Sequence, residues 1–267
     1  MSGVCSRRQA DEFIEQGRVK INDEVITSLG SKVNPRYDKV ELDGNPLAPE
    51  KPVYILLNKP KNTITTMMDP EGRKTVMDLV RELRYARIFP VGRLDRDTTG
   101  ILLLTNDGPL AKMLTHPSYE IRKIYRVTLN RNLTEQDIEK LKAGVMLEDG
   151  LAKADKIGFD EGAESRKEVL VEIHSGKNRV IRRMFDHLGY SVVGLDRTAF
   201  GPIDKKGVER GHWRHLTASE LNFLKMAASN RLARKAAEST DGLPPEINKS
   251  FALARLRRKS VGFKRRK

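Results

Sequence analysis

The segment of the chain best equipped for chemistry is a polar stretch of nine residues from Gly92 to Gly100. Its charged and hydroxyl side chains are Arg93, Asp95, Arg96, Asp97, Thr98 and Thr99. Apolar runs precede and follow it, and a short apolar run bounded by turn residues is typical of a buried strand. We therefore predict a loop held between buried strands, a common way to present binding or catalytic groups. For an isolated Arg-Leu-Asp, a charged surface turn would be the simpler interpretation.

Other kinds of chemistry find little support in the sequence. The five histidines are scattered, and no His/Cys/Asp/Glu cluster has the spacing of metal ligands. The single cysteine, Cys5, excludes an intrachain disulfide and a multi-cysteine metal site. Neither a phosphate-binding glycine loop nor a Ser-His-Asp or Cys-His set stands out. A loop carboxylate surrounded by arginines remains the strongest candidate.

The charge of the chain indicates the class of its partner. Among 267 residues, 50 Lys and Arg stand against 36 Asp and Glu, which gives a formal net charge of +14. Such an excess favours a polyanionic partner, with nucleic acid first and an acidic membrane surface second. No apolar stretch approaches the roughly 18 residues of a membrane span, and the first residues lack the apolar core of a secretory signal. We expect a soluble cytoplasmic protein.

The first 46 residues have the pattern of a small basic unit. Ser6 can cap a helix that Gly17 ends, and alternating strands follow at 19–21, 25–26 and 39–42. The run from Cys5 to Asp11, with Val19-Lys20-Ile21-Asn22, resembles the S4 RNA-binding domain. That resemblance implies RNA contacts by Arg7, Arg8 and Lys20. The S4 family usually has one more helix before this point, so we expect either an abbreviated domain or a native start further upstream.

The rest of the chain predicts an α+β domain with a largely antiparallel, mixed sheet. We expect a linker at 47–52, this second domain at 53–227 and a flexible basic tail at 228–267. Strands are predicted at 53–58, 88–91, 101–104, 121–129, 167–173, 192–195 and 212–216, with a connection at 197–201. Helices are predicted at 75–83, 109–114, 134–141 and 178–188, and from 217 onward.

Several separated motifs in this second domain resemble those of the pseudouridine synthases, in the RsuA/RluB branch. They are Leu57-Asn58-Lys59-Pro60, Gly92-Arg93-Leu94-Asp95 with Thr99-Gly100, Lys123-Ile124-Tyr125-Arg126-Val127, Gly176 to Met184, Leu195-Asp196-Arg197 with Gly201-Pro202-Ile203, and Gly211 to Leu216. An S4 domain followed by a synthase domain is also the order of this branch. The resemblance covers about Ser6 to Leu224 and implies isomerisation of a uridine in RNA to pseudouridine, without cofactor or metal.

The resemblance also assigns roles. It implies that Asp95 is the catalytic carboxylate, with Asp97 as a local alternative, and that Tyr125 stacks on the base. Arg182 is expected to pair with Asp95 and keep it ionised, and Arg93 to fill the space left by the flipped uridine. Lys177, Arg179 and Arg183 are expected to contact phosphates. Lys59 is expected to be structural or to contact the RNA backbone, and it is counted here among the predicted RNA-binding residues.

Three positions depart from the usual family pattern, at Ser175, Val180 and Asn62, and they affect the expected RNA contacts and target choice. The segments Pro70-Glu71-Gly72-Arg73 and Leu147-Glu148-Asp149-Gly150 look closer to the large-subunit type, which favours 23S rRNA, with pre-ribosomal particles as further partners of a monomeric enzyme. A 16S rRNA enzyme, a tRNA enzyme and a non-catalytic RNA-binding or ribosome-assembly protein are the alternatives.

Overall fold

The computed structural model describes residues 3–34, 37–83, 85–160 and 162–229, and the predicted basic tail lies outside these ranges from residue 230 onward. The helices are α1 (Arg7–Glu15), α2 (Gly108–Thr115), α3 (Glu135–Ala143), α4 (Val180–His187) and α5 (Ala218–Ser229). The strands are β1 (Val19–Ile21), β2 (Glu24–Ile26), β3 (Val40–Leu42), β4 (Asn45–Pro46), β5 (Tyr54–Lys59), β6 (Phe89–Pro90), β7 (Thr99–Thr105), β8 (Lys123–Leu129), β9 (Val145–Leu147), β10 (Gly150–Ala152), β11 (Lys156–Phe159), β12 (Glu168–Ile173), β13 (Val192–Phe200), β14 (Ile203–Asp204) and β15 (Trp213–His215).

The N-terminal residues form α1 and a small antiparallel sheet with the strand order β2-β1-β3-β4. Helix α1 begins where predicted because Ser6 and Gln9 form a capping box, each side chain accepting the backbone N–H of the other. Strands β1 and β2 are joined tightly at Asn22 and Asp23, which both have positive φ. These two residue types tolerate the left-handed conformation that a two-residue hairpin requires.

The larger sheet contains nine strands and is antiparallel at every pairing except one. Its main path is β11-β12-β8-β13-β7-β5-β15, with β14 on β13 and β6 on β7. The parallel pairing joins β7 to β13, where Thr99 is opposite Asp196 and Gly100 is opposite Arg197. A Cβ on Gly100 would lie 2.2 Å from the Arg197 carbonyl oxygen, so only glycine allows the strands to approach at this point. The predicted mixed, mostly antiparallel sheet is confirmed.

Both faces of this sheet are covered by apolar side chains. Along β5, Ile55 and Leu57 belong to the core beneath α3 and α4, whereas Leu56 belongs to the core beneath α2 and α5. Strand β7 alternates in the same way, and all seven of its residues are buried. A strand covered on both faces is expected to have a continuous apolar run, and β7 has one from Ile101 to Leu104 between a threonine at each end. The polar segment before β7 is therefore attached to the most buried part of the molecule.

Two predicted elements differ from the observed ones. Residues Val76–Leu83 form a 3-10 segment that is interrupted at Val80, not a regular helix. The capping hydrogen bond also differs from the usual one, in which the side chain of the first residue accepts a backbone N–H. Here the Asp78 carboxylate accepts the backbone N–H of Thr75. The predicted connection at 197–201 is wrong as well, since β13 continues to Phe200. Its pairing with β8 shifts register twice, and these irregularities obscured the two-residue period.

A hairpin and three further strands, β4, β11 and β14, were absent from the prediction. Strands β9 and β10 pair across the turn at Glu148 and Asp149, and β11 adds an edge to the large sheet. Three-residue strands are too short to establish a period in the sequence. The hairpin matters for function because it lies against the beginning of α4.

Candidate active site

The polar segment after β6 forms one wall of a cavity with a volume of about 400 Å³. The opposite wall is the segment from Ser175 to Ile181, which leads into α4. Between the walls, residues of β8 and β13 form the floor, among them Tyr125 and Arg197. The cavity therefore brings together residues from several regions that are distant in the sequence.

Asp95 lines this cavity and is half-buried, whereas Asp97 is exposed and does not line it. The loop that carries Asp95 is fixed from beneath by Lys59, whose side chain has no solvent exposure. Its Nζ donates to the carbonyl oxygens of Thr98 at 2.8 Å, Pro60 at 3.1 Å and Arg96 at 3.2 Å. Burial lowers the pKa of Lys59 to about 8, although the charges of Asp95 and Asp97 oppose this shift.

The arginine that pairs with Asp95 is Arg179, and the prediction of Arg182 is wrong. Arg179 Nη1 lies 3.2 Å from Asp95 Oδ2. Arg182 instead donates to the carbonyl oxygen of Val192 at 2.8 Å and does not line the cavity. Helix α4 begins at Val180, two residues later than predicted, and Arg179 adopts a left-handed conformation with φ of 46° just before it.

Tyr125 is buried in the cavity floor, as a base-stacking role would need. Two cations lie beside it that the motif analysis did not single out. Lys123 precedes it by two residues on β8, and Arg197 is directly opposite it on β13. Burial, followed by the charge of Arg197, lowers the pKa of Lys123 to about 8. Because residues two apart on a strand share a face, the predicted strand at 121–129 already places Lys123 beside Tyr125, so the first of these cations could have been inferred.

The predicted RNA-binding residues fall into three groups. Arg7, Arg8 and Lys20 of the N-terminal unit are exposed. Lys177 and Arg183 are partly exposed but engaged, because both contact Asp149 at the tip of the β9–β10 hairpin. Lys59 is fully buried and cannot contact RNA, so its assignment to this group is wrong and only its structural role stands. Arg93 is exposed at the mouth of the cavity, next to Asp95.

A second, larger cavity of about 870 Å³ lies between the start of α1 and helix α2. Arg7, Arg87 and Lys112 contribute positive charge to its lining. It shares Gly92 and Thr115 with the first cavity, so the two form one cleft from the N-terminal unit to Asp95. A cationic cleft of this kind suits a nucleic-acid strand.

The cleft offers a carboxylate, an aromatic ring and several cations. Among the residues that the structure describes, no group of three or more His, Cys, Asp and Glu side chains is arranged for a metal ion. Within the same ranges, no helix combines the length and apolar character needed to cross a bilayer. The arrangement can hold a polyanion and place one carboxylate beside a group that becomes positively charged.

Comparisons with known proteins agree with this chemistry. A family model described as RNA pseudouridylate synthase matches residues 53–187, and one described as S4 domain matches residues 1–37. An uncharacterised RNA pseudouridine synthase of Aquifex aeolicus is 41% identical over 221 residues, which cover 82% of this chain and 88% of that protein. The ribosomal large subunit pseudouridine synthase B of Bacillus subtilis is 40% identical over 86% of this chain and 94% of its own.

A solved structure described as a pseudouridylate synthase has the same overall fold. The TM-score is 0.60 at 29% sequence identity, and the match covers 84% of this chain and 95% of the other.

Proposed function

Because the chain belongs to the RNA pseudouridylate synthase family and is an isomerase acting on RNA, we propose that it converts one uridine of 23S rRNA to pseudouridine, with Asp95 as the catalytic carboxylate. The observation that carries this proposal is the position of Asp95. It lines a cavity that also contains Tyr125, it is paired with Arg179, and its loop is fixed by the buried Lys59.

The reaction explains why these residue types are needed together. When the bond between ribose C1′ and uracil N1 breaks, positive charge develops at the sugar, and an adjacent carboxylate stabilises it. The pairing with Arg179 helps to hold the Asp95 carboxylate in position. The same carboxylate can attack C1′ or remove the proton from C2′, and both routes require it at the same place.

The remaining residues would hold the RNA and the extruded nucleoside. Tyr125 stacks on the uracil ring, and the exposed Arg93 enters the space that the uridine leaves in its strand. Arg7 lines the N-terminal end of the cleft, and Lys177 and Arg179 line its other end. These cations bind phosphates, together with Arg8, Lys20 and Arg183, which do not line either cavity. We propose that RNA lies along the cleft between these two groups.

The choice of 23S rRNA is supported by the names of the relatives. Those of Bacillus subtilis, Pseudomonas aeruginosa and Vibrio cholerae, at 40%, 37% and 35% identity, are named ribosomal large subunit pseudouridine synthase B. We extend that target to this chain, together with action in the cytoplasm, as a monomer, on rRNA or on assembling subunits.

Tritium release tests the proposal directly. The enzyme is incubated with 23S and 16S rRNA transcribed in vitro with uridine tritiated at C5, and the product is mapped for pseudouridine. We expect release from 23S rRNA, and we expect Asp95→Ala to slow it by about 10⁴-fold or more. Asp97→Ala is the matched control, since Asp97 is exposed outside the cavity, and it should keep its activity. Release from 16S rRNA alone would contradict the proposed target, and release by Asp95→Ala at the wild-type rate would contradict the proposed site.

A further inference from the structure

Arg197 is a buried cation that has no assigned role in the proposed reaction. It lines the cavity floor opposite Tyr125, and only 3% of its surface is exposed. Its Nε donates to the carbonyl oxygen of Ile101 at 2.7 Å. Its Nη2 is buried and, within the described residues, has no hydrogen-bond partner. A buried guanidinium without a matching acceptor is costly, so its retention needs an explanation.

The nearest carboxylate in the sequence does not neutralise Arg197. Asp196 accepts hydrogen bonds from Thr99 at 2.6 Å and from Lys205 at 2.6 Å, and it also pairs with Arg210. Among the described residues Arg197 therefore has no carboxylate partner, and its Cζ lies 5.0 Å from the centroid of the Phe200 ring, which also lines the cavity. Lys123 adds a second cation from the neighbouring strand.

A second unpartnered polar group lines the same cavity. The hydroxyl of Thr98 is buried, and no hydrogen-bond partner for it exists in the part of the chain that the structure describes. Buried polar groups normally find partners. Two of them without partners in one cavity indicate that a polar ligand completes the site.

We propose that Arg197 binds a carbonyl oxygen of the substrate uracil and stabilises the negative charge that the ring acquires when it leaves the ribose. This inference rests on the proposed function and adds a residue that touches the substrate. The Nη2 donor then has its acceptor, and the uncompensated positive charge of the floor meets a developing negative charge.

The electron balance of the reaction shows why a cation is useful at this place. When the N1–C1′ bond breaks, its electron pair leaves with the uracil and spreads over N1, O2 and O4. The ring then rotates, C5 donates an electron pair to C1′ to form the new bond, and the C5 proton is released to water while N1 takes up a proton. Rotation about the axis through N3 and C6 exchanges O2 with O4, so a single donor can hold a carbonyl oxygen before and after it.

The test is single-turnover isomerisation of 23S rRNA carrying uridine tritiated at C5, with enzyme in excess. Arg197→Met should slow tritium release by about 10²-fold to 10³-fold while RNA affinity, measured by filter binding, stays unchanged. It should also release free uracil, because a detached base that is not held can leave the cavity. A wild-type rate without free uracil would overturn the inference. Tritium release by neither protein would instead contradict the proposed function itself.

A control separates this role from a loss of stability. Arg122→Met removes a guanidinium just before β8 and leaves the buried Glu172 unpaired, but Arg122 does not line the cavity. We expect it to lower the melting temperature without free-uracil release or a slower single turnover. If it slowed the reaction as much as Arg197→Met, the effect of Arg197 would be structural and the inference would fail.

If Arg197→Met does not fold, a second variant still tests the inference. Arg197→Lys keeps a positive charge but replaces the planar guanidinium, whose donors point in fixed directions, with a compact ammonium. We expect about a 10-fold slower single turnover. Replacing uridine by 4-thiouridine or 2-thiouridine in the transcript weakens one carbonyl acceptor of the base. At least one of these replacements should lower the single-turnover rate of the wild type by a larger factor than that of Arg197→Lys. Equal sensitivity of the two proteins to both changes would overturn the inference.

Discussion

The two walls of the cavity are stabilised by different means. The wall that carries Asp95 rests on buried groups: Lys59 has no exposed surface, and Thr65, which bonds the Leu94 carbonyl at 2.8 Å, is 5% exposed. The wall at the start of α4 is held by surface ion pairs, in which Lys177 and Arg183 contact the half-exposed Asp149. Buried hydrogen bonds fix a position, whereas exposed ion pairs contribute little to stability and exchange readily. The rigid wall therefore suits the carboxylate that we propose to react, and the wall with exposed cations suits the proposed phosphate contacts.

The largest effect should come from the point where the rigid wall joins the sheet. Gly100→Ala places a Cβ against the backbone of Arg197 at a φ of 105°, and neither strand can move away. We expect a loss of more than about 3 kcal/mol in the free energy of unfolding, measured by urea denaturation. Gly207→Ala is the control: it also has positive φ, but its Cβ would meet nothing within 4 Å. Similar losses for both variants would contradict the backbone clash.

Sequence reasoning was more successful for the rigid wall than for the other. The buried strand after Asp95 was readable because the centre of β7, from Ile101 to Leu104, is a continuous apolar run. At the other wall, the residue paired with Asp95 is an arginine with a left-handed backbone, Arg179, and residue types alone do not reveal that conformation. The β9–β10 hairpin that contacts this wall was missed because its strands have only three residues each.

The next prediction concerns the ion pair that crosses between the walls. Arg179→Met should slow single-turnover isomerisation by about 10²-fold, because the carboxylate loses the partner that holds it in position. Arg182→Met is the matched control on the same helix. It removes a hydrogen bond to Val192 and should lower the melting temperature with an unchanged rate. A larger rate effect for Arg182→Met would restore the pairing originally predicted from the sequence.

The buried lysine predicts a pH dependence that the surface wall lacks. The pKa of Lys59 is about 8 in the folded protein and near 10.5 in the unfolded chain, so between these values only the unfolded chain keeps the proton. Unfolding then takes up a proton, and stability rises with pH in this window. We expect the unfolding free energy of the wild type, measured by urea denaturation, to rise relative to that of Lys59→Met from pH 8 to pH 10. Lys51→Met, at an exposed position, should show no such growth.

The smallest effect on stability is expected at the exposed wall. Asp149→Ala removes the carboxylate that contacts Lys177 and Arg183. Arg183 then becomes free for phosphates, whereas Lys177 keeps its bonds to the backbone carbonyl oxygens of residues 149 and 151. We expect little change in melting temperature, tighter RNA binding at low salt, and a log–log salt dependence steeper by about 1. Asp186→Ala, at an exposed position on α4, removes a carboxylate without releasing Arg183 and should leave the slope unchanged. An unchanged slope for Asp149→Ala would mean that RNA does not contact Arg183, and the contrast between the two walls would then be purely structural.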